Sequence, residues 1–159
     1  MALRVVVAAA VRAPVGARFV RSAIVACAEV QEVAARVPEG EVAVAVRLTG
    51  DRQLRRLNRE FLGLDEVTDV LAFPSGAAPA LGADEAGHLG DIAVSIPAAA
   101  RQAKEFGHPV EAEVALLCVH GFLHLLGWDH ASAPEQSEMN RLTLVALDHV
   151  GVQVSERRL

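Results

Sequence analysis

Residues 120–130 read HGFLHLLGWDH, which with gaps is H-x-x-x-H-x-x-G-x-x-H. On a helix His120 and His124 project from one face, about 40° apart around the axis and about 6 Å apart along it, so both imidazoles can reach one ion. Gly127 can take the left-handed conformation that ends a helix and turns the chain back, bringing His130 towards the same ion. Three neutral imidazoles and one open position make the ligand set of a catalytic zinc site, one ion per chain, whose bound water has a pKa of about 7. Hydrogen-bonded core histidines followed by an ordinary helix stop are the plainer alternative. They would suit one isolated histidine better than three at this spacing on an otherwise apolar helix. A closed structural zinc would want a fourth protein ligand, and Cys118, two residues from His120, points to a different face.

Zinc endopeptidases with this histidine spacing carry a glutamate directly after the first histidine. Gly121 stands there instead. Peptide hydrolysis then lacks the group that takes a proton from the attacking water and hands it to the leaving amine, which disfavours a peptidase. Hydrolysis of a phosphodiester needs cations around the phosphorane-like charge. A second constellation could supply them. In DRQLRRLNREF, Arg52, Arg55, Arg56 and Arg59 fall at i, i+3, i+4 and i+7, a basic stripe on a helix whose other side is Leu54, Leu57 and Phe61. A merely solvated face is the commoner fate of such a run. In a chain with only 15 basic residues, four on one stripe favour phosphate contact.

The elements that must position these groups can be read from periodicity. Arg4 to Ala10 has the valine content of an edge strand, and Arg18 to Arg36 spaces Ala23, Cys27, Val30 and Ala34 as one helix. EVAVAVRL alternates as a half-buried strand, and a helix follows from Thr49 or Asp51 as N-cap to about Phe61. TDVLAFP is a short strand ended by Pro74, HLGDIAVSI is another, and residues 75–87 between them read as a mobile loop. Pro97 to Phe106 is a helix closed by Gly107. Pro109 opens a helix that is apolar nearly all round from Val114 to Leu126, hence central and buried, so its histidines must find partners or a metal. Ser132 with Glu135 forms a capping box for a last helix running to Gly151. The expectation is an α+β fold: a single domain over residues 1–159, with a small mixed sheet of about four strands, about five helices and the zinc site on a central helix.

Composition agrees. The chain has 159 residues, 52% hydrophobic and 22% charged, enough for one core. Its net charge of −5 means that any nucleic-acid contact must come from a local basic surface. Cys27 and Cys118 lie in apolar periodic segments and read as buried thiols of a reducing compartment, which favours the cytoplasm. The apolar run Val5 to Val11 is too short to span a membrane, and no membrane association is expected.

HGFLHLLGWDH, together with LNREFLGLDEVTDVLAFP at 57–74 and LGDIAVSI at 89–96, resembles the YbeY endoribonuclease family, over about residues 40–150. The resemblance implies zinc bound by His120, His124 and His130. It further implies cleavage of single-stranded RNA in ribosomal RNA maturation, including 16S 3′-end processing, and in ribosome quality control at the small ribosomal subunit. The alternative from another class is a ribosome assembly or RNA-binding factor with a structural zinc and little nuclease activity. One departure stands out: family members carry an arginine where this chain has Leu62, a position held important for activity. Arg59, one turn earlier, is the candidate to replace it, with Arg52, Arg55 and Arg56 as further RNA contacts. Ala72 stands where serine is common in the family. Asp69 and Asp91 match shared positions and read as caps or sheet-end hydrogen-bond acceptors. Asp129, beside His130, is the candidate to orient a ligand imidazole or accept a proton.

Overall fold

Along Glu41–Thr49 the side chains of Val42, Val44, Val46 and Leu48 alternate into the interior, each no more than 4% exposed. The computed structural model, which describes residues 2–75 and 87–159, places this strand (β2) beside and parallel to β1 (Ala2–Ala9), which forms one edge of a four-stranded sheet. On its other side β2 pairs, again parallel, with β4 (His88–Ser95), and β4 pairs antiparallel with β3 (Val70–Pro74), giving the order β1-β2-β4-β3. The mixed α+β fold expected from the sequence is therefore the one found.

The helices are α1 (Ala17–Glu29), the short α2 (Gln31–Ala34), α3 (Asp51–Leu62), α4 (Ile96–Phe106), α5 (Val110–Leu125) and α6 (Ala133–His149), with a 3-10 turn at Glu156–Arg158. Two expectations need correction. The single helix over Arg18–Arg36 is broken at Val30, which adopts an extended conformation (φ −63°, ψ 131°) while its N–H donates to the Cys27 carbonyl. The break re-phases the following turn, so Val33 is buried and Ala34 exposed, where an unbroken helix would have buried Ala34. The N-cap of α3 is Gly50, neither Thr49 nor Asp51. Thr49 Oγ1 donates to Gln53 Oε1 (2.7 Å), and the Asp51 carboxylate accepts from Ser95 Oγ (2.7 Å) and Arg101 (2.9 Å). The Asp51 side chain thus ties α3 to a segment 44 residues away instead of capping its own helix. The loop expected at 75–87 lies almost wholly outside the described residues. Ser132 caps α6 as its sequence requires, accepting from Glu135 N and donating to Glu135 Oε1.

α5 is the centre of the molecule. It packs on β3 and β4 with one side and on α1, α4 and α6 with the others. Leu116, Leu117, Phe122 and Leu123 are buried to 1% or less, each contributing roughly 1.5–3 kcal/mol of apolar transfer. On the opposite face of the sheet, α3 sets Leu54 and Leu57 against Leu71, Phe73 and Ala93 in a smaller core. Both faces of β4 are thus covered, which is why Gly90 to Ser95 are all buried. Among the described residues no helix is long and apolar enough to cross a membrane.

Gly90 is what lets the C-terminal end of α5 reach the sheet. A Cβ there would stand 2.4 Å from the Phe73 carbonyl oxygen and 2.6 Å from Leu125 Cδ2. Gly90→Ala is therefore expected to cost about 1–3 kcal/mol by overpacking. Thermal unfolding should show a midpoint several degrees lower; an unchanged midpoint would mean that the strand and helix can part at no cost.

Candidate metal centre

The turn that follows α5 has the geometry its sequence demands. Gly127 is left-handed (φ 98°), its N–H donates to the His124 carbonyl (3.0 Å), and Trp128 N donates to the Leu123 carbonyl (3.1 Å). Those two bonds are the paired closure of a Schellman motif. Trp128 is buried, and the Arg36 guanidinium lies 3.7 Å from its ring centroid, which anchors the turn. The chain then delivers His130, whose ring meets that of His124 edge-on at 5.2 Å between centroids.

His120, His124 and His130 line one pocket of about 480 Å³, together with Asp69, Val70 and Ala72 from the β3 edge. His120 Nε2 is buried and has no hydrogen-bond partner. Burial pushes the His120 imidazole down to about 4, with the nearby Arg158 guanidinium adding to the effect, and burial followed by His130 lowers His124 as well. Both rings are therefore neutral at pH 7 and carry free lone pairs. Among the described residues no group of three His, Cys, Asp or Glu side chains is closed to metal-binding geometry. The donor set nevertheless fits a zinc-like ion: three imidazoles in one pocket and an orphaned buried nitrogen, a costly arrangement if nothing coordinates it. Cys118 faces the core, where burial raises its thiol to about 12, and does not line the pocket.

Gly121 has a second meaning. A Cβ at this position would lie 2.7 Å from Ile92 Cγ2 and 3.4 Å from Val70 Cγ2. The position that holds a glutamate in zinc peptidases is here pressed against β4 and accepts no side chain unless Ile92 shifts.

The remaining candidates fall elsewhere. Asp129 Oδ1 accepts from the His130 backbone N–H (2.7 Å), so it braces the turn rather than a ring. Arg52, Arg55, Arg56 and Arg59 are all exposed, and none lines the pocket. They ride on α3, across the sheet from α5. Arg55 is paired with Asp65 (2.8 Å) and Arg56 loosely with Glu60 (3.9 Å), whereas Arg52 and Arg59 have no ion pair among the described residues. Leu62 is 54% exposed and also outside the pocket. Asp69 accepts from Val70 N (2.8 Å) and Gln102 Nε2 (3.0 Å), the sheet-end role expected of it, yet it also lines the pocket. Asp91 accepts from His88 Nε2 (3.3 Å) inside the sheet end. The sequence reading missed Arg158, which enters the pocket from the C-terminal segment. One of two adjacent arginines 28 residues past His130, in a stretch without periodicity, offers no sequence signal.

The family model for endoribonuclease YbeY matches residues 14–151. A protein of that description from Gloeobacter violaceus is 52% identical over 117 residues, 72% of this chain but 59% of its own length. Its counterpart in Moorella thermoacetica is 43% identical over 119 residues, covering 72% of this chain and 76% of its own. A Thermotoga maritima protein solved in solution superposes with a TM-score of 0.58 over 94% of this chain and 91% of its own, at 24% identity, a likeness of fold. The protein is thus an α+β domain with a histidine-lined pocket on its central helix, and the chain belongs to the endoribonuclease YbeY family.

Because α5 touches β4 at Gly121, Gly121→Ala should destabilise the fold by about 1–3 kcal/mol. A double-mutant cycle with Ile92→Ala should recover about 1 kcal/mol of coupling in chemical denaturation. Strict additivity would show that the two residues do not meet.

Proposed function

We propose that the protein is a metal-dependent endoribonuclease that cleaves single-stranded RNA in ribosomal RNA maturation, 16S 3′-end processing included, and in ribosome quality control. The observation that carries this reading is the meeting of His120, His124 and His130 in one pocket, with His120 Nε2 unpartnered, in a member of this family. These three side chains would hold one zinc ion. When bound, the ion supplies Lewis acidity towards a phosphoryl oxygen and lowers the pKa of water.

The chain's own residues do the rest. Burial keeps His120 and His124 neutral, so ligation needs no proton removed at pH 7. Asp129 holds the turn on which His130 is presented, a positioning role. Asp69 is the one carboxylate side chain among the described residues lining the pocket, and it restrains the β3 edge opposite the histidines. Arg52 and Arg59, without an ion pair among the described residues, offer backbone phosphate contacts outside the pocket, with Arg55 and Arg56 partly committed to acidic neighbours. The substrate would be met in the cytoplasm, at the small ribosomal subunit.

The test measures metal content and hydrolysis together. Wild-type protein should retain about one equivalent of zinc and cleave ribosomal RNA while leaving casein intact. His124→Ala should lose more than about 100-fold in metal affinity, the upper range for mere supporting residues, and lose cleavage with it. Intact protein that holds zinc, unfolds on its removal and cuts no RNA would instead be an assembly factor with a structural metal.

A further inference from the structure

Glu113, Leu117, His120 and His124 stand at i, i+4, i+7 and i+11 on α5, one continuous stripe. Its first member is a carboxylate with no exposure at all. The C-terminal segment meets it there. Arg158 Nε lies 3.0 Å and Nη2 2.8 Å from Glu113 Oε2, with Nε also 3.1 Å from Oε1. His108 Nε2 makes a 2.8 Å bond to Glu113 Oε1, while Ser155 N donates to His108 Nδ1 (3.0 Å). Since Nδ1 accepts, the ring proton sits on Nε2 and is donated to Glu113. The guanidinium also lies 5.3 Å from the Phe106 ring centroid. Its side chain is only 16% exposed and held from several sides.

This clamp aims one cation at the candidate metal centre. Arg158 is the one lysine or arginine among the described residues that line the histidine pocket, and its charge is the largest acting on His120. Two of its three guanidinium nitrogens are committed to Glu113, whereas Nη1 makes no hydrogen bond among the described residues. A fixed, partly desolvated guanidinium with a free donor edge suits a phosphate oxygen better than a flexible surface arginine does, because its ordering is already complete. We propose that Arg158 binds a non-bridging oxygen of the RNA phosphodiester in this pocket, a substrate-binding role that rests on the reading of the pocket as an RNA site.

Removing Arg158 alone would leave Glu113 buried without its cation, so the comparison is made in a matched background. Glu113→Gln is the reference and Glu113→Gln/Arg158→Met the test, both checked for folding by circular dichroism and thermal unfolding. A single-stranded oligoribonucleotide is titrated into chelator-treated protein at several salt concentrations. The double variant is expected to bind about tenfold more weakly than the reference, as for a lost hydrogen bond to a charged group. The plot of log affinity against log salt should be shallower by about 0.7. Equal affinity and equal slope in the two proteins would overturn the proposal. Should the variants unfold, the ¹⁵N resonance of Arg158 Nε in wild-type protein serves instead: saturable movement on adding the oligoribonucleotide supports the contact, and a stationary resonance under saturating RNA rejects it. None of these readings depends on cleavage. If zinc-loaded wild type cuts no RNA but binds it through Arg158, the enzymatic reading fails alone; if it cuts RNA and the binding comparison shows no difference, this one does.

Discussion

The closeness of α5 to β4 is the constraint on which the site depends. At Gly121 the helix has no side chain to hold it off Ile92, and at Gly90 the strand has none to hold off Leu125. Two missing Cβ atoms, one on each element, leave room for Ile92 and Leu125 and let the helix and the strand pack closely. That approach fixes His120 and His124 against the β3 edge, with Val70 and Asp69 opposite them. A helix held at ordinary distance would widen the gap between these histidines and the β3 edge by about the thickness of a methyl group.

Burying such a helix raises an electrostatic problem that its two ends solve differently. At the N-terminal end Arg158 and His108 supply the Glu113 carboxylate with the hydrogen bonds that water would have given it. Towards the C-terminal end His120 is simply neutral, its protonated form disfavoured by burial and by Arg158. One guanidinium therefore serves both: it stabilises the buried carboxylate and discourages protonation of the first histidine. The polar stripe of α5 is tolerable in an apolar core because each charge on it is either paired or absent.

Features that depend on local rules were legible in the sequence. The alternation of β2, the Ser132–Glu135 cap and the turn at Gly127 each involve residues within about five positions, and each is found. So were the three histidines as a group, since helical spacing and one turn bring them together. Features decided by distant partners were not legible. The break at Val30 answers to core packing, and Asp51 leaves its capping role for Ser95 and Arg101, more than 40 residues away. The absence of a side chain at 121 could be read as lost chemistry, but its steric reason lies on β4. Arg158 was invisible because its partner, Glu113, is 45 residues upstream.

Leu62 and the arginine stripe of α3 are best understood together with that last point. A stripe on the outer face of α3 is separated from the histidines by the sheet, so under the proposed function its charges would meet the RNA strand and not the atoms in the pocket. Besides any ion the histidines would hold, a side-chain cation acts on a phosphate in the pocket only from close by, because screening leaves little of a charge more than about 8 Å away through solvent. In a chain of net charge −5 that cation must be local. Arg158 satisfies the requirement from outside residues 14–151, the stretch matched to the family. An exposed leucine at position 62 is then compatible with phosphate chemistry, because attraction of the strand and contact at the pocket are assigned to different elements: α3 for the first, the C-terminal segment clamped to α5 for the second.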